Sequence, residues 1–197
     1  EMLDAARLAR DQGCELHVLS DANTIFIPVI LRHHGLLEAC ASITSNPAEY
    51  EGERLRVEPH QPAATPHGCP FCPPNLCKGR QVNGLRRAAE ARAATGARVR
   101  FFYVGDGGGD FCAATRLRSD DVLFARAGWR LHKKVEQSRD AAGRTTLGGT
   151  EQWPADVVAH VVPWETGADV FAYLQHELTA STSSTSTSTS TSESTAT

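Results

Sequence analysis

Apolar residues in EMLDAARLARDQG (1–13) recur at helical spacing and predict an amphipathic helix, with Gly13 supplying the stop. ELHVLS then predicts a short buried strand ending at Ser20, and NTIFIPVILRHHG a helix whose Pro28 comes early enough to be tolerated. ASITS (41–45) is a further short strand. Residues 46–77 lose all periodicity and carry a series of prolines, with EYEGERLRVEP standing out as a candidate hairpin. KGRQVNGLRRAAEARAATG (78–96) predicts a helix, and VRFFYVG a buried strand rich in aromatic and β-branched residues. A glycine loop, a short helix from Asp110, the strand DVLFAR (121–126) and a helix near 129–139 follow. A Gly- and Thr-containing loop leads to the last strand, VVAHVVPW (157–164), and the last helix, ETGADVFAYLQHEL. From Thr179 onward the chain is almost pure Ser and Thr, has nothing to bury, and is expected to be disordered. Strands alternating with helices at this spacing predict an α/β fold, a parallel sheet with helices on both faces.

Composition narrows the function classes. The 197 residues are 41% hydrophobic and 22% charged with a formal net charge of −3, which fits one globular domain with a real core. So balanced a charge, without a long basic run, argues against general nucleic-acid binding. Apolar stretches such as IFIPVIL are too short to span a bilayer, so no membrane partner is expected. No secretory signal is visible, and the scattered cysteines read as those of a reducing, cytoplasmic compartment. The first residue already lies inside a helical pattern with no cap, and the only methionine is Met2, so the expectation is a piece of a longer protein.

Candidate chemistry concentrates where predicted strands end. In YVGDGGGDF (103–111), Asp106 and Asp110 sit in a glycine run directly after a buried strand, where open α/β sheets place their ligands. Ser20 and Asp21 end the first strand, and Lys78 opens the helix after the proline-rich segment. Aspartate is also a favoured turn and N-cap residue. Yet Lys78 at a helix start opposes the helix dipole, a conflict that favours function. A hydroxyl, an ammonium and paired carboxylates suit a phosphate with a hard divalent cation such as Mg²⁺. Cys69, Cys72 and Cys77 form C-x2-C-x4-C with His60 and His67 nearby. A structural zinc site needs four ligands, and a zinc ribbon a second C-x-x-C, which this chain does not have. Buried or redox-active thiols are therefore the expectation.

The order strand–Ser, Lys, GDxxxD resembles the later motifs of the haloacid-dehalogenase-like phosphohydrolases. LSDANT (19–24), SNP (45–47), CPFCPPNLCKGR (69–80), FYVGDGGGDFC (102–112) and VVPWETGADV (161–170) resemble, more closely, the phosphoethanolamine/phosphocholine and pyridoxal-phosphate phosphatase family. The resemblance runs from about Leu3 to Leu178 and implies a three-layer Rossmann-like core, N-terminally truncated, over residues 1–178. It implies that Ser20 hydrogen-bonds the phosphoryl group and that Lys78 neutralises it. Asp106 would ligate Mg²⁺, with Asp110 supporting the metal directly or through water. Asp21 matches the position that contacts the substrate beyond its phosphate. Gly109 stands where the family often has Asn.

The nucleophile and acid/base of that superfamily lie in a D-x-D-x-T motif, and no D-x-D occurs in this chain. The expected function is thus a Mg²⁺-dependent phosphatase of a small phosphorylated metabolite, acting through an aspartyl-phosphate, with the nucleophile and the helical cap outside these residues. Phosphocholine, phosphoethanolamine, pyridoxal phosphate and pyrophosphate all stay open as substrates, as does the oligomeric state. The rival reading is a non-catalytic metal- or zinc-binding interaction module.

Overall fold

A computed structural model describes residues 1–138 and 155–183, and it divides into two compact units. In the first unit, residues 1–16 and 166 onward, helix α1 (Met2–Asp11) packs on the last helix, Gly167–Ser183. Ala5 and Ala9 of α1, one turn apart, are buried, as are Val170 and Leu174 of the partner helix. Gly167 admits the closest approach: a Cβ there would stand 2.1 Å from the Met2 nitrogen. The last helix extends past Leu178 through Ser183, into the segment read from its composition as tail, and Thr179 Oγ1 donates back to Gln175 O at 2.6 Å.

The second unit, residues 17–165, holds the sheets. Strands β1 (Leu16–Asn23) and β2 (Cys40–Asn46) form one two-stranded ladder. β1 is longer than its apolar run suggests, because Ser20 and Asp21 stay extended beyond it. Helix α2 (Phe26–His33) lies between them, started by Asn23 Oδ1, which accepts from the amides of Ile25 and Phe26. Pro28 falls in the first turn, where its missing N–H goes unused. The expected hairpin forms from β3 (Ala48–Glu51) and β4 (Arg54–Val57), paired antiparallel with Glu51 opposite Arg54. Gly52 turns it at φ +64°, a conformation that L side chains avoid.

The core surrounds three parallel strands, β5 (Phe102–Gly105), β6 (Val122–Arg126) and β7 (His160–Trp164), with β6 in the middle. Val122, Leu123, Phe124 and Ala125 are fully buried, as a central strand covered on both faces requires. Helix α3 (Lys78–Arg92) contributes Val82 to this core, the short α4 (Phe111–Ala114) contributes Phe111, and α5 (Arg130–Gln137) contributes Leu131. The expected α/β arrangement is present, but as separate ladders: among the described residues no strand pairs β1 with β5. Val157 and Ala159, read as part of the last strand, are buried in the core just before β7 begins. The Gly/Thr loop expected before it lies largely outside the described residues. No helix among the described residues is long and apolar enough to cross a membrane.

Candidate active site

The glycine run is bent around one carboxylate. Asp110, 5% exposed, ends a single 3-10 turn (Gly108–Asp110) between β5 and α4. Its Oδ1 accepts from Lys78 Nζ at 2.7 Å and from the Tyr103 hydroxyl at 2.9 Å. Its Oδ2 accepts from the amides of Gly107 at 2.9 Å and Asp106 at 3.2 Å. Four donors compensate a buried charge that would otherwise be prohibitive.

The glycines make this wrapping possible by being small. None of Gly105, Gly107, Gly108 and Gly109 has a positive φ, so left-handed backbone is not their purpose. A Cβ at Gly105 would stand 3.0 Å from the Asp110 carboxyl atoms, and one at Gly107 would stand 3.3 Å from Oδ2. The room is taken by the carboxylate.

Lys78 is the first residue of α3, and the Asp110 carboxylate neutralises the cation that opposes the helix dipole there. Its side chain is only 12% exposed. Tyr103, on β5, was not singled out by the sequence. Burial, then the adjacent Asp110 charge, pushes its hydroxyl well above the ordinary tyrosine value, so it stays a donor. A second cation that sequence reasoning missed, Lys134 of α5, donates to Gly108 O at 3.3 Å and lies over the Phe111 ring.

Asp106 differs from Asp110. Its main chain is fixed, the amide on Asp110 and the carbonyl accepting from Leu131 N at 3.0 Å. Its half-buried carboxylate has no hydrogen-bond or ion-pair partner among the described residues. An anionic oxygen held by its backbone and engaged by no described protein group is one ligand that a hard cation takes. Asp106 is therefore the carboxylate that could ligate Mg²⁺, whereas Asp110 spends its oxygens on the loop and on Lys78.

Asp21 reaches the same loop from β1. Its exposed carboxylate lies alongside the loop, 3.5 Å from where a Cβ at Gly109 would sit. Asn46, from the SNP motif but with no role assigned from sequence, anchors this end of β1. Its Nδ2 donates to Asp21 O at 2.7 Å, and its Oδ1 accepts from His60 N and Asn75 Nδ2, both at 3.1 Å. The Ser20 hydroxyl accepts from Ala22 N at 3.1 Å, and no hydrogen bond joins it to the Lys78–Asp110 pair. Lys78, Asp106 and Asp110 thus come together with Tyr103 and Asp21 at the carboxyl end of β5, while Ser20 directly precedes Asp21 on β1.

Known proteins carry the same chain pattern. A family model described as "Putative Phosphatase" matches residues 1–178. The thiamine phosphate phosphatase-like protein of Arabidopsis thaliana is 39% identical over 139 residues, covering 70% of this chain and 56% of that protein. The phosphoethanolamine/phosphocholine phosphatase of Homo sapiens is 36% identical over 183 residues, covering 90% and 61%. Inorganic pyrophosphatase 2 of Arabidopsis thaliana is 32% identical over 171 residues, covering 86% and 55%. The chain thus spans little more than half the length of these relatives. No solved structure matches it. Because the family match takes in both the glycine loop on Asp110 and the helix that opens with Lys78, this chain belongs to the "Putative Phosphatase" family of haloacid-dehalogenase-like phosphatases.

Proposed function

We propose that these residues form the phosphate- and metal-binding part of a Mg²⁺-dependent phosphatase acting on small phosphomonoesters. The observation that carries the reading is the pairing of an engaged carboxylate with an unengaged one. Asp110 holds Lys78 at 2.7 Å, and Asp106, four residues earlier, presents its oxygens to no protein group among those described. Bound at Asp106, Mg²⁺ would supply charge compensation for phosphoryl oxygens. Lys78 would hold a further phosphoryl oxygen, its position and charge fixed by Asp110, and Tyr103 would keep Asp110 from turning away. Ser20 would donate to the phosphoryl group from β1. The attacking carboxylate would come from a segment outside these 197 residues, since the chain holds no D-x-D.

Asp21 narrows the substrate class. An exposed carboxylate beside the phosphate-facing loop would pair with a cationic group on the substrate. Two of the relatives above are named for such esters, thiamine phosphate and phosphoethanolamine/phosphocholine. A second reading, hydrolysis of inorganic pyrophosphate, is favoured by the relative named for that activity.

The test is hydrolysis by a longer version of the chain that includes upstream sequence. Phosphocholine, thiamine phosphate, pyridoxal phosphate and pyrophosphate would be compared at limiting Mg²⁺. Asp106→Asn should lower kcat/KM by several kcal/mol of barrier, about 100-fold or more. Residues 1–197 alone should give only the background rate. Wild-type rates for Asp106→Asn at limiting Mg²⁺ would remove the metal assignment. Turnover by residues 1–197, abolished by the same substitution, would remove the external nucleophile.

A further inference from the structure

The proline-rich segment closes on the site through sulfur. Cys69 and Cys72 lie on the loop before α3, Cys77 is the residue that caps α3, and Cys112 sits on α4. Their four Sγ atoms all lie within 4.8 Å of one another. Cys69 and Cys77 Sγ are 3.4 and 3.8 Å from Cys112 Sγ, and all four cysteines are free of disulfides.

We propose that Cys69, Cys72, Cys77 and Cys112 form a structural zinc site of four thiolates that fixes Lys78 and Asp110 in position. Tetrahedral zinc with Zn–S near 2.3 Å requires sulfurs about 3.8 Å apart, close to the spacing these residues adopt. Hydrophobic packing alone gives no reason for four sulfurs from three separate segments to converge on one point. Thiolates as the entire donor set select a soft or borderline ion and disfavour Mg²⁺ or Ca²⁺. Four protein ligands leave no open position, so the ion is structural. Binding converts the thiols to thiolates and releases their protons to solvent.

The surroundings are built to match. Cys69, Cys77 and Cys112 are 7%, 2% and 0% exposed. His67 braces the loop, its Nδ1 accepting from Cys69 N at 3.0 Å and its Nε2 bonded to Pro73 O at 2.9 Å. Gly79 lets α3 come against α4: a Cβ there would stand 2.5 Å from Cys112 Sγ and 2.6 Å from Cys112 O. Sequence spacing alone could not identify the fourth ligand, because Cys112 lies 35 residues beyond Cys77.

The link to the active site is covalent on both sides. Cys77 immediately precedes Lys78, and Cys112 follows Asp110 by two residues. A bound ion would therefore hold the two halves of the 2.7 Å Lys78–Asp110 pair in register. It would also tether the loop whose Asn75 donates to Asn46, the anchor of Asp21.

Elemental analysis of the wild-type chain, prepared without chelator, should find one zinc per chain. Replacement by Co²⁺ should give the intense thiolate-to-metal and d–d bands of a tetrahedral four-sulfur site. Cys112→Ser should weaken zinc by more than about 100-fold, the upper end of what loss of an outer partner costs, while Cys14→Ser should leave it unchanged. Stripping zinc from the wild type should speed amide exchange at residues 77–80 and 106–112, restored by zinc and not by Mg²⁺. A folded wild-type chain without stoichiometric zinc, with four freely titrating thiols and no thiolate bands on adding Co²⁺, would overturn the site. So would a disulfide within the cluster. Asp106→Asn should retain zinc, so failure of the Mg²⁺ assignment and failure of the zinc site read out separately.

Discussion

Helix α3 carries a half-buried cation, Lys78, and a buried one, Arg86, and each meets an aspartate at a different end of the neighbouring strands. Lys78, in the first turn, pairs with Asp110 beyond the carboxyl end of β5. Arg86, two turns on, pairs with Asp121 just before the amino end of β6. Asp121 is fully buried, and it also accepts from Phe101 N at 2.8 Å and Arg118 N at 2.6 Å. Arg86 stacks over the Phe101 ring at 4.1 Å and bonds Val99 O at 3.4 Å, so its planar group is clamped on several sides. Burial and pairing are common to both aspartates and do not by themselves mark a functional site. The difference lies next door. Beside Asp110 stand an Asp106 carboxylate without a partner among the described residues and an exposed Asp21, whereas the Asp121 oxygens accept from Arg86 of α3 and from the amides of Phe101 and Arg118, which join α3 to the entries of β5 and β6.

The sharpest way to break this comparison is to neutralise each aspartate in turn. Asp121→Asn should destabilise the fold by about 3–5 kcal/mol, because it leaves the Arg86 charge buried without its counter-ion. A thermal or urea melt reads this as a drop of roughly 10 °C in Tm. Asp110→Asn should lower Tm less, since Lys78 at 12% exposure can turn toward water. A larger loss from Asp110→Asn than from Asp121→Asn would reverse the assignment of structural and functional pairs.

A smaller effect sharpens the functional side. In a version of the protein that includes upstream sequence, Asp21→Asn should raise KM for phosphocholine or thiamine phosphate about tenfold, corresponding to a charge-assisted contact of roughly 1.5–3 kcal/mol. An uncharged aryl phosphate should be nearly unaffected, because Ser20, Lys78 and a Mg²⁺ bound at Asp106 would still hold the phosphoryl group. Equal losses on both substrates would move Asp21 to the phosphoryl site or to the fold.

The smallest effect concerns Tyr103. Its hydroxyl is raised by burial and by Asp110, so the folded state binds this proton more tightly than the unfolded chain does. The resulting stability is complete below the unfolded value of about 10 and declines as pH rises above it. Tyr103→Phe should remove that alkaline loss and cost about 1 kcal/mol at neutral pH, where the hydrogen bond to Asp110 goes. Denaturant midpoints measured from pH 7 to 11 would show the two curves converging, and parallel curves would show that Tyr103 is not held as a donor.

What the sequence determined by itself was local. Periodicity marked α1, α3 and the three core strands, because helical and strand faces repeat within a few residues, and the EYEGERLRVEP stretch marked the hairpin. Turn chemistry and residue order located Asp106, Asp110 and Lys78, since a glycine–aspartate loop after an apolar strand is written in consecutive residues. Tertiary structure decided what those residues do. Asp110 and Asp106 are both aspartates in one glycine run, yet packing engaged one with four donors and left the carboxylate of the other without such a partner among the described residues. The glycines read as flexible, but Gly105 and Gly107 serve as room for the Asp110 carboxylate, a distinction that depends on which atoms lie nearby. Cys112 joined Cys69 across 43 residues, and Asn46 joined Asp21 across 25. Such meetings follow from how helices and strands pack into a shared core, and no spacing along the chain encodes them.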